Sequence, residues 1–193
     1  MAAPVVRASL VMERNMSIIG FLGSSRADGN TAALTNAVFS ELKSAVLVDL
    51  SELMIGPYSY DNAYAADDFL PLARPMAKAD AIVFASPVYW YSMSAQMKAF
   101  FDRLTDLTEG EMKPVGKSLA GKRMFVIATG NSPTAPDSFV RPFADTAGYF
   151  NMRWGGLFYA QGAGELSAQT RAAAKAFASK IHDAAMPASA AAE

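Results

Sequence analysis

The 193-residue chain contains no cysteine. That excludes disulfides, thiolate zinc sites, a cysteine nucleophile and an iron–sulfur cluster held by its own thiolates. Its one histidine, His182, falls near the end of the last helical segment, where a solvated or capping role is expected. Charge of one sign is also missing. The 17 Lys and Arg nearly cancel the 18 Asp and Glu, so the net charge of −1 leaves no electrostatic footprint for nucleic acid or an anionic membrane. No apolar run approaches the ~18 residues that span a bilayer. What the chain does have is apolar material: 52% hydrophobic residues exclude a disordered chain. Its length suits one domain of ~150 residues with a good core.

The ends stand apart from the body. Residues 1–15 carry a small apolar patch that Arg7 interrupts, and no basic n-region precedes it, so they read as a short flexible extension in which Met12 or Met16 offers another start. Residues 185–193, with Pro187 among small residues, read as a disordered tail. The folded domain is expected over 16–184.

Within that span, strand and helix patterns alternate. Apolar runs at Met16–Gly23, Ala45–Leu50, Ala81–Ser86, Arg123–Thr129 and Met152–Tyr159 predict five strands. Helical spacing predicts helices over Thr31–Lys43, Phe69–Lys78, Ser92–Leu104, Asp137–Phe150 and Ser167–Ala185. Continuous apolar strands separated by helices point to a parallel sheet covered on both faces, hence an α/β fold of three layers. In such sheets ligands sit beyond the carboxyl ends of the strands, so the loops after the strands carry the functional information.

Three of those loops are unusual. The first, Gly23-Ser24-Ser25-Arg26-Ala27-Asp28-Gly29-Asn30-Thr31, leads from a strand into a helix start, whose free N–H groups and partial positive charge suit an anion. Ser24, Ser25, Asn30 and Thr31 add donors and Arg26 a cationic fork. The loop matches neither G-x-x-x-x-G-K-[ST] nor G-x-G-x-x-G. It reads equally as a phosphate cradle or as a polar turn capped by Asn30 or Thr31. The second loop, Ser86-Pro87-Val88-Tyr89-Trp90-Tyr91-Ser92, places three consecutive aromatics at a strand end. They suit a flat heterocycle, or they plug the top of the sheet. Ser92 or Ser94 caps the helix that follows. The third, Ala128-Thr129-Gly130-Asn131-Ser132-Pro133, offers backbone donors beside a glycine, as an ordinary turn also does.

Together, GSSRADGNT, SPVYWYSMSAQMKAFFDRL and ATGNS resemble the NADPH-dependent FMN reductase family of the flavodoxin-like superfamily, over most of Met16–Phe150. The resemblance implies a five-stranded parallel sheet in the order 2-1-3-4-5 and one FMN at the strand ends. By position, Ser24, Arg26, Asn30 and Thr31 would hold the FMN phosphate. Pro87, Val88, Tyr89 and Trp90 would line the isoalloxazine ring, and Thr129, Gly130 and Asn131 would close its pyrimidine edge. It further implies NADPH or NADH as co-substrate, a small-molecule acceptor such as a quinone, azo compound or flavin, a homodimer or homotetramer, and a cytoplasmic protein. No side chain is expected to act as a nucleophile or base.

Two other readings differ in class. A flavodoxin-type electron carrier would bind FMN without NAD(P)H turnover, but such carriers are strongly acidic and this chain is nearly neutral. A cofactor-free interaction module would keep the fold alone. Relatives with an iron–sulfur cluster carry cysteines in the loop after the second strand, where this chain has GPYSYDN. Tyr58, Tyr60 and Asp61 there read either as part of a substrate pocket or as an exposed connection. The Met93, Met97, Phe100 and Phe101 face reads as core or subunit interface. Asp102 and Arg103 are expected to pair along their helix or across a dimer, and Asp106, Glu109 and Glu111 to form a solvated loop.

Overall fold

A computed structural model describes residues 18–185 apart from Ala163. The expected extension over 1–15 and the tail beyond 185 lie outside the described residues; Ala185 itself closes the last helix. The strands are β1 (Ile18–Leu22), β2 (Ala45–Asp49), β3 (Ala81–Pro87), β4 (Arg123–Gly130) and β5 (Arg153–Gln161), and the helices are α1 (Asn30–Phe39), α2 (Phe69–Lys78), α3 (Ala95–Arg103), α4 (Lys113–Lys117), α5 (Asp137–Tyr149) and α6 (Ala168–Ala185). All pairings are parallel and the strand order is β2-β1-β3-β4-β5. This is the expected flavodoxin-like topology.

The two faces of the sheet bury different side chains, as a period of two requires. Ile18 and Leu22 of β1, with Val83 and Ala85 of β3, pack against Leu34 and Val38 of α1 and Phe177 and Ile181 of α6. Ile19 and Phe21, with Ile82 and Phe84, face α2, α3 and α5. That second layer is built from phenylalanines: Phe84 lies 4.8 Å from Phe101 and Phe100 lies 4.6 Å from Phe21, ring centre to ring centre. Met93, Met97, Phe100 and Phe101 are all buried in it, which settles them as core. Gly20 is glycine for a packing reason, because a Cβ there would collide with the Phe39 ring at the end of α1. At the β4–β5 edge the register slips between Met124 and Phe125, leaving Gly155 unpaired against the Phe125 ring.

The differences from the sequence expectations are local. Helix α1 stops at Phe39 rather than Lys43, since residues 40–44 must reverse the chain into β2 and Ser44 takes a left-handed turn (φ 52°) to do so. Of the acidic residues expected in a solvated loop, Glu109 and Glu111 are exposed, whereas Asp106 is drawn to Arg103; residues 104–117 around them form short 3₁₀ turns and α4, with Leu104 and Leu107 buried. No described helix is long and apolar enough to cross a membrane.

Candidate functional site

At the carboxyl ends of β1, β3 and β4 a cleft of about 210 Å³ opens. One wall is the β1–α1 loop, through Ser24, Arg26, Gly29, Asn30 and Thr31. The end of β3 supplies Pro87, Val88 and Tyr89, the end of β4 supplies Thr129, Gly130 and Asn131, and Gly162 after β5 closes the rim. Ten of the eleven residues singled out from the sequence thus meet in one place. Trp90 does not line the cleft and is 93% exposed.

The first wall shows how the local sequence makes a donor-rich surface. The Ser24 hydroxyl accepts from the Arg26 N–H (3.3 Å) and donates to the Arg26 carbonyl (3.1 Å), folding the loop back on itself. The N-cap of α1 is Gly29, not Asn30 or Thr31, and no side chain caps it. Those two candidates are engaged elsewhere. The Thr31 hydroxyl meets that of Thr129 at 2.6 Å, joining two walls of the cleft, and the Asn30 carboxamide oxygen accepts from the Gly164 N–H at 3.3 Å. No acidic residue occupies the first turn of α1, and Arg26 is the single charged residue lining the cleft. A helix start with neither cap nor carboxylate, beside one cation, is suited to an anion. Arg26 is 72% exposed and pairs with Asp28 at 3.3 Å, a surface contact of little weight that leaves the guanidinium free to turn.

The second wall rests on serines. Ser94, the N-cap of α3, accepts from the Met97 N–H (3.2 Å) and donates to the Gly23 carbonyl (2.5 Å). Ser86 accepts from the Ser94 N–H at 3.0 Å. The aromatics between them form a tight hairpin turn in which Tyr89 and Ser92 exchange both backbone hydrogen bonds, at 2.9 and 3.0 Å. Trp90 and Tyr91 take positive φ values of 48° and 66°, the signs of a type I′ turn, which favours Asn-Gly. Two aromatics in that conformation store strain of about 1–2 kcal/mol each. Replacing Trp90-Tyr91 by Asn-Gly is therefore expected to raise stability by about 1 kcal/mol in thermal unfolding, after the entropy of the added glycine is subtracted. An unchanged or lower stability would show that the aromatics have compensating contacts.

The third wall is held from outside the cleft. Desolvation pushes the Tyr159 phenol above its ordinary value, so it remains a donor, and it donates to the Ser132 carbonyl at 2.6 Å. Gly162 and Gln161 were not singled out from the sequence; the Gly162-Ala163-Gly164 run straight after a strand was the signal available.

Tyr58, Ser59 and Tyr60 line a different cavity, of about 350 Å³, with Asp106, Glu109 and Glu111, and this cavity shares no lining residue with the cleft. Tyr60 is almost fully exposed there and Asp61 takes the Ser59 hydroxyl. Asp102 pairs with Lys98 (2.6 Å), not with Arg103, because residues four apart on a helix meet and adjacent ones do not. Arg103 points inward, to Asp67 and to Asp106.

Against this geometry, the chain matches the sequence model of the NADPH-dependent FMN reductase family over residues 16–153. It belongs to that family. An iron–sulfur flavoprotein of Archaeoglobus fulgidus is 30% identical over 154 residues, 72% of this chain and 64% of the relative. A putative NAD(P)H-dependent FMN-containing oxidoreductase of Bacillus subtilis, YwqN, is 27% identical over 60% of this chain and 67% of the relative. The chain thus spans less than two thirds of the Archaeoglobus relative's length. Among solved structures, general stress protein 14 of Treponema denticola in complex with FMN superposes with a TM-score of 0.62 at 17% identity, covering 88% of this chain and 99% of that one. The residues present fit the family's cofactor: an uncapped helix start and Ser24 for a phosphate, apolar Pro87 and Val88 for a ring, and a glycine-bearing strand end for its polar edge.

Proposed function

We propose that this protein is an FMN-dependent NAD(P)H oxidoreductase acting on a small-molecule acceptor. The observation that carries the reading is the uncapped first turn of α1, which opens into a cleft whose one charged lining residue is Arg26 and whose adjoining wall is apolar. Family membership and the FMN-containing Bacillus relative support it. FMN held there would supply the redox chemistry, a two-step exchange of hydride from NADPH or NADH to a quinone, azo or flavin acceptor by way of the flavin N5.

The chain's own residues bind, orient and shield. Ser24, Arg26, Asn30 and Thr31 hold the phosphate through hydroxyl, guanidinium and carboxamide groups and the first N–H groups of α1. Pro87, Val88 and Tyr89 present an apolar edge that excludes water from one side of the ring. Thr129, Gly130 and Asn131 meet its pyrimidine edge, where backbone donors stabilise negative charge that develops on reduction. Trp90 stands at the rim. No residue of the cleft is required as a nucleophile or general base. Exposed Tyr89, Trp90 and Tyr91 beside the cleft support the accompanying proposal of a homodimer or dimer of dimers, read out by light scattering.

The test is anaerobic. The FMN-loaded protein is mixed with NADPH and separately with NADH, and the visible flavin absorption is followed. Rapid bleaching by either nucleotide is the expected result. Flavin that binds but stays oxidised would overturn the reductase reading in favour of an electron carrier.

A further inference from the structure

Four consecutive carbonyls leave the end of β4, and each is taken by a different donor. Thr129 accepts from the Val88 N–H (2.8 Å), Gly130 from the Gly162 N–H (3.0 Å), Asn131 from the Gln161 side-chain amide (2.9 Å) and Ser132 from the Tyr159 hydroxyl (2.6 Å). Three of the four come from β5 or the residue after it. Among the described residues, by contrast, neither the Asn131 nor the Ser132 N–H has a protein acceptor. A trans peptide is planar and its C=O and N–H point in opposite directions. Fixing a carbonyl toward the β5 side therefore turns the next residue's N–H the other way.

We propose that Gln161 is a positioning residue for the flavin: by holding the carbonyl of Asn131, a residue of the cleft wall, it fixes the Asn131–Ser132 peptide with its N–H turned away from the Gln161 side chain, and so sets how strongly the site favours the reduced, anionic ring over the oxidised one. The inference rests on the reading that the cleft holds FMN and adds to it a residue outside the cleft wall. Gln161 is the one side chain able to act this way. Gly162 holds the Asn131 N–H in place through its backbone, which substitution does not remove. Tyr159 holds the Ser132 carbonyl, but the nitrogen of that peptide belongs to Pro133 and carries no hydrogen, so Tyr159 stiffens the loop without aiming a donor.

That asymmetry gives the experiment. Gln161→Met keeps the reach of the side chain and removes its donor, and Tyr159→Phe removes the neighbouring donor; both positions are in β5 and leave its backbone ladder untouched. The two-electron midpoint potential of bound FMN and the Kd for oxidised FMN are measured for each. In Gln161→Met the ratio of affinities for reduced and oxidised FMN is expected to fall by about three- to tenfold, a lowering of the potential by roughly 15–30 mV. In Tyr159→Phe the potential is expected to stay at the wild-type value. No shift in Gln161→Met, or equal shifts in both variants, would overturn the proposal, the second by showing that the loop only needs stiffness. Wild-type protein that takes up no FMN would overturn the cofactor reading with it. Wild-type protein that binds FMN but is not bleached by NAD(P)H would overturn the reductase reading alone, since the potentials are measured without nucleotide.

Discussion

Arg103→Met is expected to destabilise the protein by about 3–5 kcal/mol, the scale for breaking a buried ion pair on one side. The Arg103 side chain is 3% exposed and its Asp67 partner 5%. The guanidinium donates to Asp67, to Asp106 (2.7 Å) and to the carbonyls of Gly56 and Tyr64 (both 3.4 Å), and it sits 5.0 Å over the Phe69 ring. Methionine keeps most of the volume and restores none of the charge. Asp67 would keep its bonds from the Gly56 N–H (2.9 Å) and the Phe69 N–H (3.0 Å), yet remain a buried carboxylate without a cation. The loop between β2 and α2 loses its anchor at the same time. The double variant Arg103→Met/Asp67→Leu should recover part of the loss, because it removes the uncompensated buried carboxylate while leaving Asp106 and the Gly56 and Phe69 N–H groups without their partners. Urea unfolding of the three proteins checks both statements. A single-variant loss under about 1 kcal/mol would place this network with surface pairs. Neither residue lines the cleft, so FMN affinity of the folded variants should match the wild type.

Arg103 also shows where reading the sequence stops. Its neighbour Asp102 has the same linear distance to everything beyond the helix, and only the packing of α3 onto α2 decides that one faces Lys98 in solvent and the other Asp67 in the interior. The strand order, by contrast, was expected only through the family resemblance: continuous apolar strands by themselves imply a parallel sheet covered on both faces and leave the order β2-β1-β3-β4-β5 open. Helix starts were legible in kind and wrong in detail. Ser94 caps α3 as its type and place suggest, whereas Gly29 displaces Asn30 and Thr31 at α1. The reason is tertiary: Thr31 is drawn to Thr129, 98 residues away, and Asn30 to Gly164.

The cleft follows the same division. Residues that sit on a strand end were found, since the topology sends them all to one edge of the sheet. Those that act from behind it were not. Gln161 and Tyr159 look like ordinary edge-strand polar residues, and their value lies in which carbonyl each reaches. Trp90 was placed against the ring by its neighbours in the motif. In the structure it stands at the tip of a two-residue turn, 93% exposed and not among the residues that line the cleft.

Asn30→Asp should separate the two meanings of the first loop, since capping and anion binding predict opposite signs for it. An aspartate in the first turn of α1 complements the helix dipole, which has no acidic partner there, and should raise stability by about 0.3–1 kcal/mol. Its Oδ1 can still accept from the Gly164 N–H, so the contact across the cleft survives. If the turn were only a polar cap, nothing else would change. If it holds the FMN phosphate, the new charge stands beside an anion; at an effective dielectric near 20, unit charges about 5 Å apart repel by roughly 3 kcal/mol, which is on the order of a hundredfold in Kd. Riboflavin, which shares the ring but not the phosphate, should bind the variant nearly as it binds the wild type. Fluorescence titration with both ligands, alongside a thermal melt, reads all three quantities. A more stable protein with FMN affinity lowered about a hundredfold and riboflavin affinity kept is the expected result. Equal losses for the two ligands would move the defect to the ring, and unchanged FMN affinity would leave the α1 start a cap and nothing more.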